Sequence, residues 1–160
     1  MESFDLWYAR EHPRLITTLL LVVGDIELAA EGVDEAFARA LERWDRVGRM
    51  TSPTGWTFKV ALHQARRVGA RRTVERRLLM RRPREAVVPA PAGEIWHLVS
   101  QLPRRQREVV VLRHIGDLKE PDVAAVLGIS RSTVSSTLAD AHTHLGRVLD
   151  EEPESEESDV

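Results

Sequence analysis

The chain of 160 residues contains no cysteine, which excludes disulfides and thiolate metal sites and removes any need for an oxidising compartment. Aromatic side chains are scarce, at 5% against 42% hydrophobic residues overall, so any core is built mainly from aliphatic groups. Long apolar runs are missing too. The longest, residues 19–23, falls far short of the roughly 20 residues that span a bilayer. The N-terminus has no basic segment followed by an apolar stretch, so no signal peptide is read there. The expectation is a cytoplasmic protein with no membrane insertion. Strand-like alternation of useful length is absent, as are a phosphate-cradling glycine loop and a nucleophile elbow. His142 and His144 lie two apart on a helical segment, so they diverge and make poor joint metal ligands. Glu27, Glu31 and Glu35 read as solvated acids on one helix face rather than a catalytic pair. The sequence therefore predicts no enzyme, no metal and no cofactor.

What is present is a strong charge asymmetry beneath a net charge of −2. Residues 150–160 hold seven acids (Asp150, Glu151, Glu152, Glu154, Glu156, Glu157, Asp159) and no base. With 23 basic against the remaining 18 acidic side chains, residues 1–149 carry +5. Nine arginines fall within residues 66–84. A basic body suits a polyanionic partner better than a small substrate. The acidic end reads either as a solubilising disordered tail or as a segment that competes with DNA for the arginines.

Read in order, the chain is a series of helices. Ser3 can cap a first helix carrying Phe4, Trp7, Tyr8, Leu15, Leu19, Leu20 and Val23, with a bend at His12-Pro13 and a stop at Gly24. Asp25 can cap a second, whose positions Ile26, Ala29, Val33, Phe37, Ala40, Leu41 and Trp44 trace one face. Pro53 suits the first turn of a third, with Trp56, Val60 and Val68 inward and Lys59, His63, Arg66, Arg67, Arg71 and Arg72 mainly outward. Tryptophans 7, 44 and 56 can close one small core. Pro83, Pro89 and Pro91 then interrupt the chain, giving a linker over residues 75–92. The predicted fold is all-α, two small helical domains over residues 1–74 and 93–150 joined by that linker, with an acidic tail at 151–160.

The second domain has the more telling pattern. Gly128 can end a helix in the left-handed conformation, Ile129 can plug the core, and Ser130 can cap the next helix. Beyond it Val134, Leu138, Ala141, Leu145 and Val148 make one apolar face. A short helix, a tight turn and a second helix with its polar side free form a helix-turn-helix, which fits the DNA major groove. Arg131, Ser132, Thr133, Ser135 and Ser136 then lie near the start of the reading helix. Arg131 stands out, because a guanidinium can bond guanine O6 and N7 together; a phosphate contact is the alternative. Arg104, Arg105 and Arg107 read as phosphate contacts or solvated charges.

These residues resemble a sigma factor of the extracytoplasmic-function (ECF) group in the sigma-70 family, the dissociable promoter-recognition subunits of bacterial RNA polymerase. Region 2 of that family has a Gly-Asp break, a helix of the form AEDLVQEVFLRAWRRWD, and a Pro-x-x-Trp helix ending in arginines. The same order here is Gly24-Asp25, then AAEGVDEAFARALERWDRV, then Pro53 to Trp56, then Arg71-Arg72. Region 4 begins LPxRQREVxxLR and ends in a GIS-x-x-TV helix, matched by residues 102–113 and 128–134. The resemblance covers residues 4–150.

It implies that core RNA polymerase and promoter DNA are the partners, with an anti-sigma factor as a candidate inhibitor. Asp34, Glu35, Phe37, Arg39 and Arg43 would dock on the polymerase. Trp56, Lys59, His63, Arg66 and Arg67 would follow the separated strand at the minus-ten element. Arg131, Ser132, Thr133, Ser135 and Ser136 would read the upstream element. Two departures stand out. Leu62-His63 occupies the place of a common Arg-Asn pair, and Ser135, Thr137 and Asp140 replace basic positions of the reading helix. The second loss removes phosphate contacts and should weaken intrinsic DNA affinity. It also leaves room for another reading, a helix-turn-helix regulator that acts without binding core polymerase.

Overall fold

A computed structural model describes residues 1–80 and 94–151, with only the backbone of residues 94, 95 and 151 described. Every regular element among them is helical. Helix α1 (Phe4–Val23) starts where the Ser3 hydroxyl accepts from the Leu6 N–H and stops at Gly24, whose φ of 77° only glycine adopts at little cost. It runs as one helix through Pro13, where a bend was expected. Pro13 and Ala9 both lie at the surface, where the carbonyl orphaned by proline can reach water. Helix α2 (Ile26–Glu42) follows at once, because the Asp25 carboxylate accepts from the N–H groups of Glu27 and Leu28. A short α3 (Trp44–Val47) leads to α4 (Pro53–Leu78), capped by Ser52 with Pro53 in its first turn.

α4 packs along α2 through small side chains. Ala29, Gly32, Val33 and Ala36 of α2 and Phe58, Ala61, Leu62 and Ala65 of α4 are all buried. A Cβ at Gly32 would lie 2.5 Å from the Ala61 carbonyl oxygen. The helices therefore approach as closely as backbone allows. α1 closes the other side with an aromatic cluster, in which Trp7 lies 4.8 Å from Trp44 and 5.2 Å from Phe37 between ring centroids.

Several expected inward positions differ. Ile26 and Leu41 are exposed, because the close α2–α4 contact is centred on Gly32 and the alanines. Trp56 and Val60 are half-buried flanks, and Phe58 holds the core position. Trp7 is thus the one tryptophan of the three that is fully in the core, with Trp44 packed on it and both Trp44 and Trp56 partly buried at its edge.

The second unit comprises α5 (Glu94–Ser100), α6 (Arg104–Val110), a wider π-type turn (Val111–Ile115), α7 (Glu120–Leu127) and α8 (Arg131–Glu151). Val109, Leu112, Val123 and Val134 are its fully buried centre. The units pack against each other, α4 on α7 and α1 on the π-type turn, so buried side chains form one continuous cluster. α4 continues to Leu78, taking in the first four residues of the expected linker, and residues 81–93 lie outside the described residues. The same holds for 152–160.

Candidate nucleic-acid interface

The turn between α7 and α8 is built as its residues require. Gly128 takes φ 66° and ψ 35°, Ile129 packs against the core, and the Ser130 hydroxyl accepts from the Thr133 N–H at 3.1 Å. Val134, Leu138 and Ala141 fix the buried face of α8 and so aim Arg131, Ser132, Ser135 and Ser136 outward. These groups are not equally free. The Ser132 and Thr133 hydroxyls lie 3.0 and 2.7 Å from Ser130 Oγ and belong to the cap. Ser136 donates to its own helix at Thr133 O. Ser135 donates to the Glu120 carboxylate at 2.7 Å. Arg131 is exposed with no partner among the described residues, and it is the strongest donor on this face. Glu120 is a residue that the sequence reading missed. Its signal was present, an acid in the first turn of α7, but its pairing with Ser135 fifteen residues later is tertiary.

The second basic surface runs along α4. Trp56, Lys59, His63 and Arg66 come together with Arg39 of α2 and residues 125–128 of α7 around an open cleft of about 520 Å3. Trp56 presents a half-buried indole there, Lys59, His63 and Arg67 are exposed, and Leu62 is buried beneath them. Flat rings set among backbone cations are what single-stranded nucleic acid needs. The end of α7 and the start of the turn, residues 125–128, form one apolar wall of this cleft.

Arg66 is already engaged. Its Nη2 lies 2.6 Å from Oε1 of Glu108, which is only 1% exposed. Arg104 Nε reaches the same oxygen at 3.0 Å, and Arg105 Nη1 reaches Oε2 at 3.2 Å. One buried carboxylate therefore gathers three guanidinium groups, one of them from the other unit. This assigns Arg104 and Arg105 to an ionic node rather than to free phosphate contacts. Three turns away, at the start of α4, the units also touch closely, with the Asp122 side chain 3.1 Å from where a Cβ on Gly55 would stand.

Of the residues expected to meet polymerase, all but Phe37 reach the surface. Asp34 and Arg43 are exposed, and Glu35 pairs with Arg39 at 2.6 Å. Phe37 is a correction, because it is 4% exposed and packs on Trp7, Tyr8 and His12. It positions α2 and has no face to offer a partner. Among the described residues no group of three or more His, Cys, Asp or Glu side chains could hold a metal ion. His142 faces His114, with ring centroids 5.7 Å apart. Partial burial, then His142 and Arg113, hold the His114 imidazole below its ordinary pKa. No helix among the described residues is long and apolar enough to cross a membrane.

Residues 92–145 match the family model described as Sigma-70, region 4. The chain is 27% identical over 163 residues to the RNA polymerase sigma-E factor of Streptomyces avermitilis, covering 99% of this chain and 89% of that one. Its fold is similar to that of the sigma factor RpoE, solved in complex with the anti-sigma factor NepR from Bartonella quintana. There the TM-score is 0.71 at 19% identity, over 94% of this chain and 98% of that one. It is also similar to CnrH, solved with the cytosolic domain of CnrY, with a TM-score of 0.59 at 23% identity over 94% and 89% of the two chains. A helix-turn-helix within the matched residues, a relative along nearly the whole length and a shared two-unit fold point the same way: residues 92–145 form a sigma-70 region 4 domain, and the chain as a whole is similar to sigma factors.

Proposed function

We propose that this chain is an alternative sigma factor that binds core RNA polymerase, recognises promoter DNA and directs initiation from the bacterial cytoplasm, without chemistry of its own. The observation that carries it is the pairing, in one short chain, of a helix-turn-helix led by an unpartnered Arg131 with the ring-and-cation surface of α4. We take residues 1–74 as the region 2-like domain, with its last helix continuing to Leu78, 75–92 as the linker and 93–150 as the region 4-like domain. In this reading Arg131 contacts base edges of the upstream element. Trp56, Lys59, His63 and Arg67 follow the separated strand at the minus-ten element, joined by Arg66 once it leaves Glu108. Asp34, Glu35, Arg39 and Arg43 face the polymerase. An anti-sigma factor is the expected inhibitor, since both structural relatives were solved with such a partner or with a cytosolic domain bound.

The test is reconstitution. The purified chain should co-elute with core polymerase and give specific transcripts from a subset of promoters in a genomic library. Failure to form any complex with core enzyme would sink the proposal. One observation favours a second reading, a helix-turn-helix regulator working without polymerase: Glu120 and Asp140 place acids on or beside the reading helix. That protein would bind duplex DNA alone and dimerise on a palindrome.

A further inference from the structure

A strand following α4 needs only one surface, yet the cleft there has two walls, one from each unit. Trp56, Lys59, Val60 and His63 fall at i, i+3, i+4 and i+7 and so share one side of α4. Residues 125–128, from the last turn of α7 and the glycine that ends it, supply the other wall. The two helices are already in contact at the start of α4, where Asp122 meets Gly55. The cleft measures about 520 Å3. Small-molecule sites hold about 300–1,000 Å3 and concentrate at junctions between units.

The lining sets the chemistry of an occupant. Arg39, Lys59 and Arg66 bring three cations, His63 adds a ring nitrogen, and the lining described contains no carboxylate. Glu35 and Glu108 hold Arg39 and Arg66 from outside it. Glu108 carries one charge against three guanidinium groups, so that node stays net positive. Lys59 and His63 have no partner among the described residues. An anion fits these groups. Most of the remaining lining is apolar, and it includes the half-buried indole of Trp56, whose N–H has no partner among the described residues. A bare inorganic anion would leave that surface wet, whereas a flat ring covers it and stacks on the indole. Ring and charge also come in order along the helix. From Trp56, Lys59 and His63 lie about 5 and 10 Å further on. A base joined through a sugar to two or more phosphates has its parts in the same order.

We infer that the cleft binds a free nucleoside di- or triphosphate in the closed chain, its base between Trp56 and residues 125–127 and its phosphates along Lys59 and His63. The binding rests on the two walls and not on the function proposed above. One consequence does rest on that function. A ligand that touches both units favours the closed chain, so if core polymerase separates the units, polymerase and nucleotide must weaken each other's binding by the same factor.

Amide NMR of the full chain titrated with ADP and GDP tests this, with adenosine and inorganic pyrophosphate as probes of ring and charge alone. Both nucleotides should move residues 56–63, the Trp56 indole N–H and residues 125–128 together, and both single-part probes should bind at least tenfold more weakly. Ala125→Glu changes an exposed position of the α7 wall, and Lys59→Gln removes an exposed charge from the other. Each should weaken nucleotide binding about tenfold, the worth of one charged hydrogen bond, with the urea midpoint near that of the parent. Pyrophosphate binding as tightly as ADP would overturn the proposal by reducing the cleft to an anion patch. Shifts on α4 that leave residues 125–128 unmoved would overturn it in favour of a one-sided strand surface, and the absence of any shift would end it outright. Excess ADP should also slow capture of the parent by core polymerase while sparing Ala125→Glu. Nucleotide binding by a chain that never joins core polymerase would uphold the cleft while the proposed function fails.

Discussion

The contact between Arg66 and Glu108 is the best place to perturb this molecule, because a double-mutant cycle isolates it from everything else around Glu108. The carboxylate is buried and takes three guanidinium groups, whose side chains are 38%, 72% and 48% exposed for Arg66, Arg104 and Arg105. Removing one partner of a fully buried pair costs about 3–5 kcal/mol, because a charge is stranded. Here nothing is fully stranded. Arg66→Met leaves Glu108 with two arginines, so the cost should be near that of one charged hydrogen bond, about 1.5 kcal/mol. Glu108→Gln leaves three guanidinium groups that can turn to water while the amide oxygen still accepts, so about 2–3 kcal/mol is expected. The effects of Arg104 and Arg105 cancel in the cycle. The coupling between Arg66 and Glu108 should be about 1–1.5 kcal/mol, within the range for directly touching residues. Urea denaturation of the parent, the two single variants and the double variant measures it. A coupling below about 0.3 kcal/mol, with all four proteins folded by circular dichroism, would refute the view that this ion pair holds the two units together. Because Arg66 cannot serve Glu108 and a phosphate at once, Glu108→Gln should also strengthen binding of a single-stranded oligonucleotide.

Other predictions follow from single residues. Arg131→Ala should cost about 1–3 kcal/mol of promoter binding by the holoenzyme and relax selectivity at one base pair; a uniform loss across sequences with a shallower salt slope would make Arg131 a phosphate contact instead. Gly32→Ala should destabilise the chain by about 1–3 kcal/mol, since the new methyl group meets the Ala61 carbonyl and α2 and α4 must part; an unchanged urea midpoint would show that the helices pack less closely. His114 should make the chain less stable in acid. Its folded pKa lies below the ordinary 6.5, so as pH falls through 6.5 the unfolded chain takes up a proton that the folded chain resists. His114→Gln should therefore lose less stability than the parent between pH 7 and 5.5, and equal losses would rule the imidazole out.

What could be read from the sequence was what depends on near neighbours. The Gly128-Ile129-Ser130 turn was legible because each residue acts on its own backbone, through a left-handed φ, a core contact and a cap. Ser3 and Asp25 announced their helices for the same reason. α4 was harder. Its buried side is made of Gly55, Thr57, Ala61 and Ala65 beside Phe58 and Leu62, so its hydrophobic pattern is weak and Trp56 stood out too strongly. Phe37 was read both on the apolar face of α2 and, through the resemblance, among the residues that would meet polymerase, and the aromatic cluster puts it on the first. The Glu108 node could not be read at all. Its partner Arg66 lies forty-two residues away, and a glutamate within RQRE next to arginines looks solvated until the first unit packs against it.

The two acids missed by sequence reasoning act in the same sense. Glu108 occupies an arginine of the strand surface, and Glu120 occupies a serine of the reading helix. Each places a carboxylate where a bound nucleic acid would bring a phosphate or a base edge. The reading helix already lacks the basic residues at 135, 137 and 140 that would contribute contacts to the duplex. Phosphate contacts supply most of the sequence-independent affinity of a DNA-binding protein, and each one lost removes close to one unit of salt dependence. In the function proposed above, a free chain so arranged keeps Arg131 for base reading while giving up the charge that would hold it on DNA unaided. Such a division makes sense only if another body supplies that affinity and separates the two units. In the proposed function that body is core polymerase, and selectivity then resides in a chain that has little tendency to occupy DNA before it has joined the enzyme.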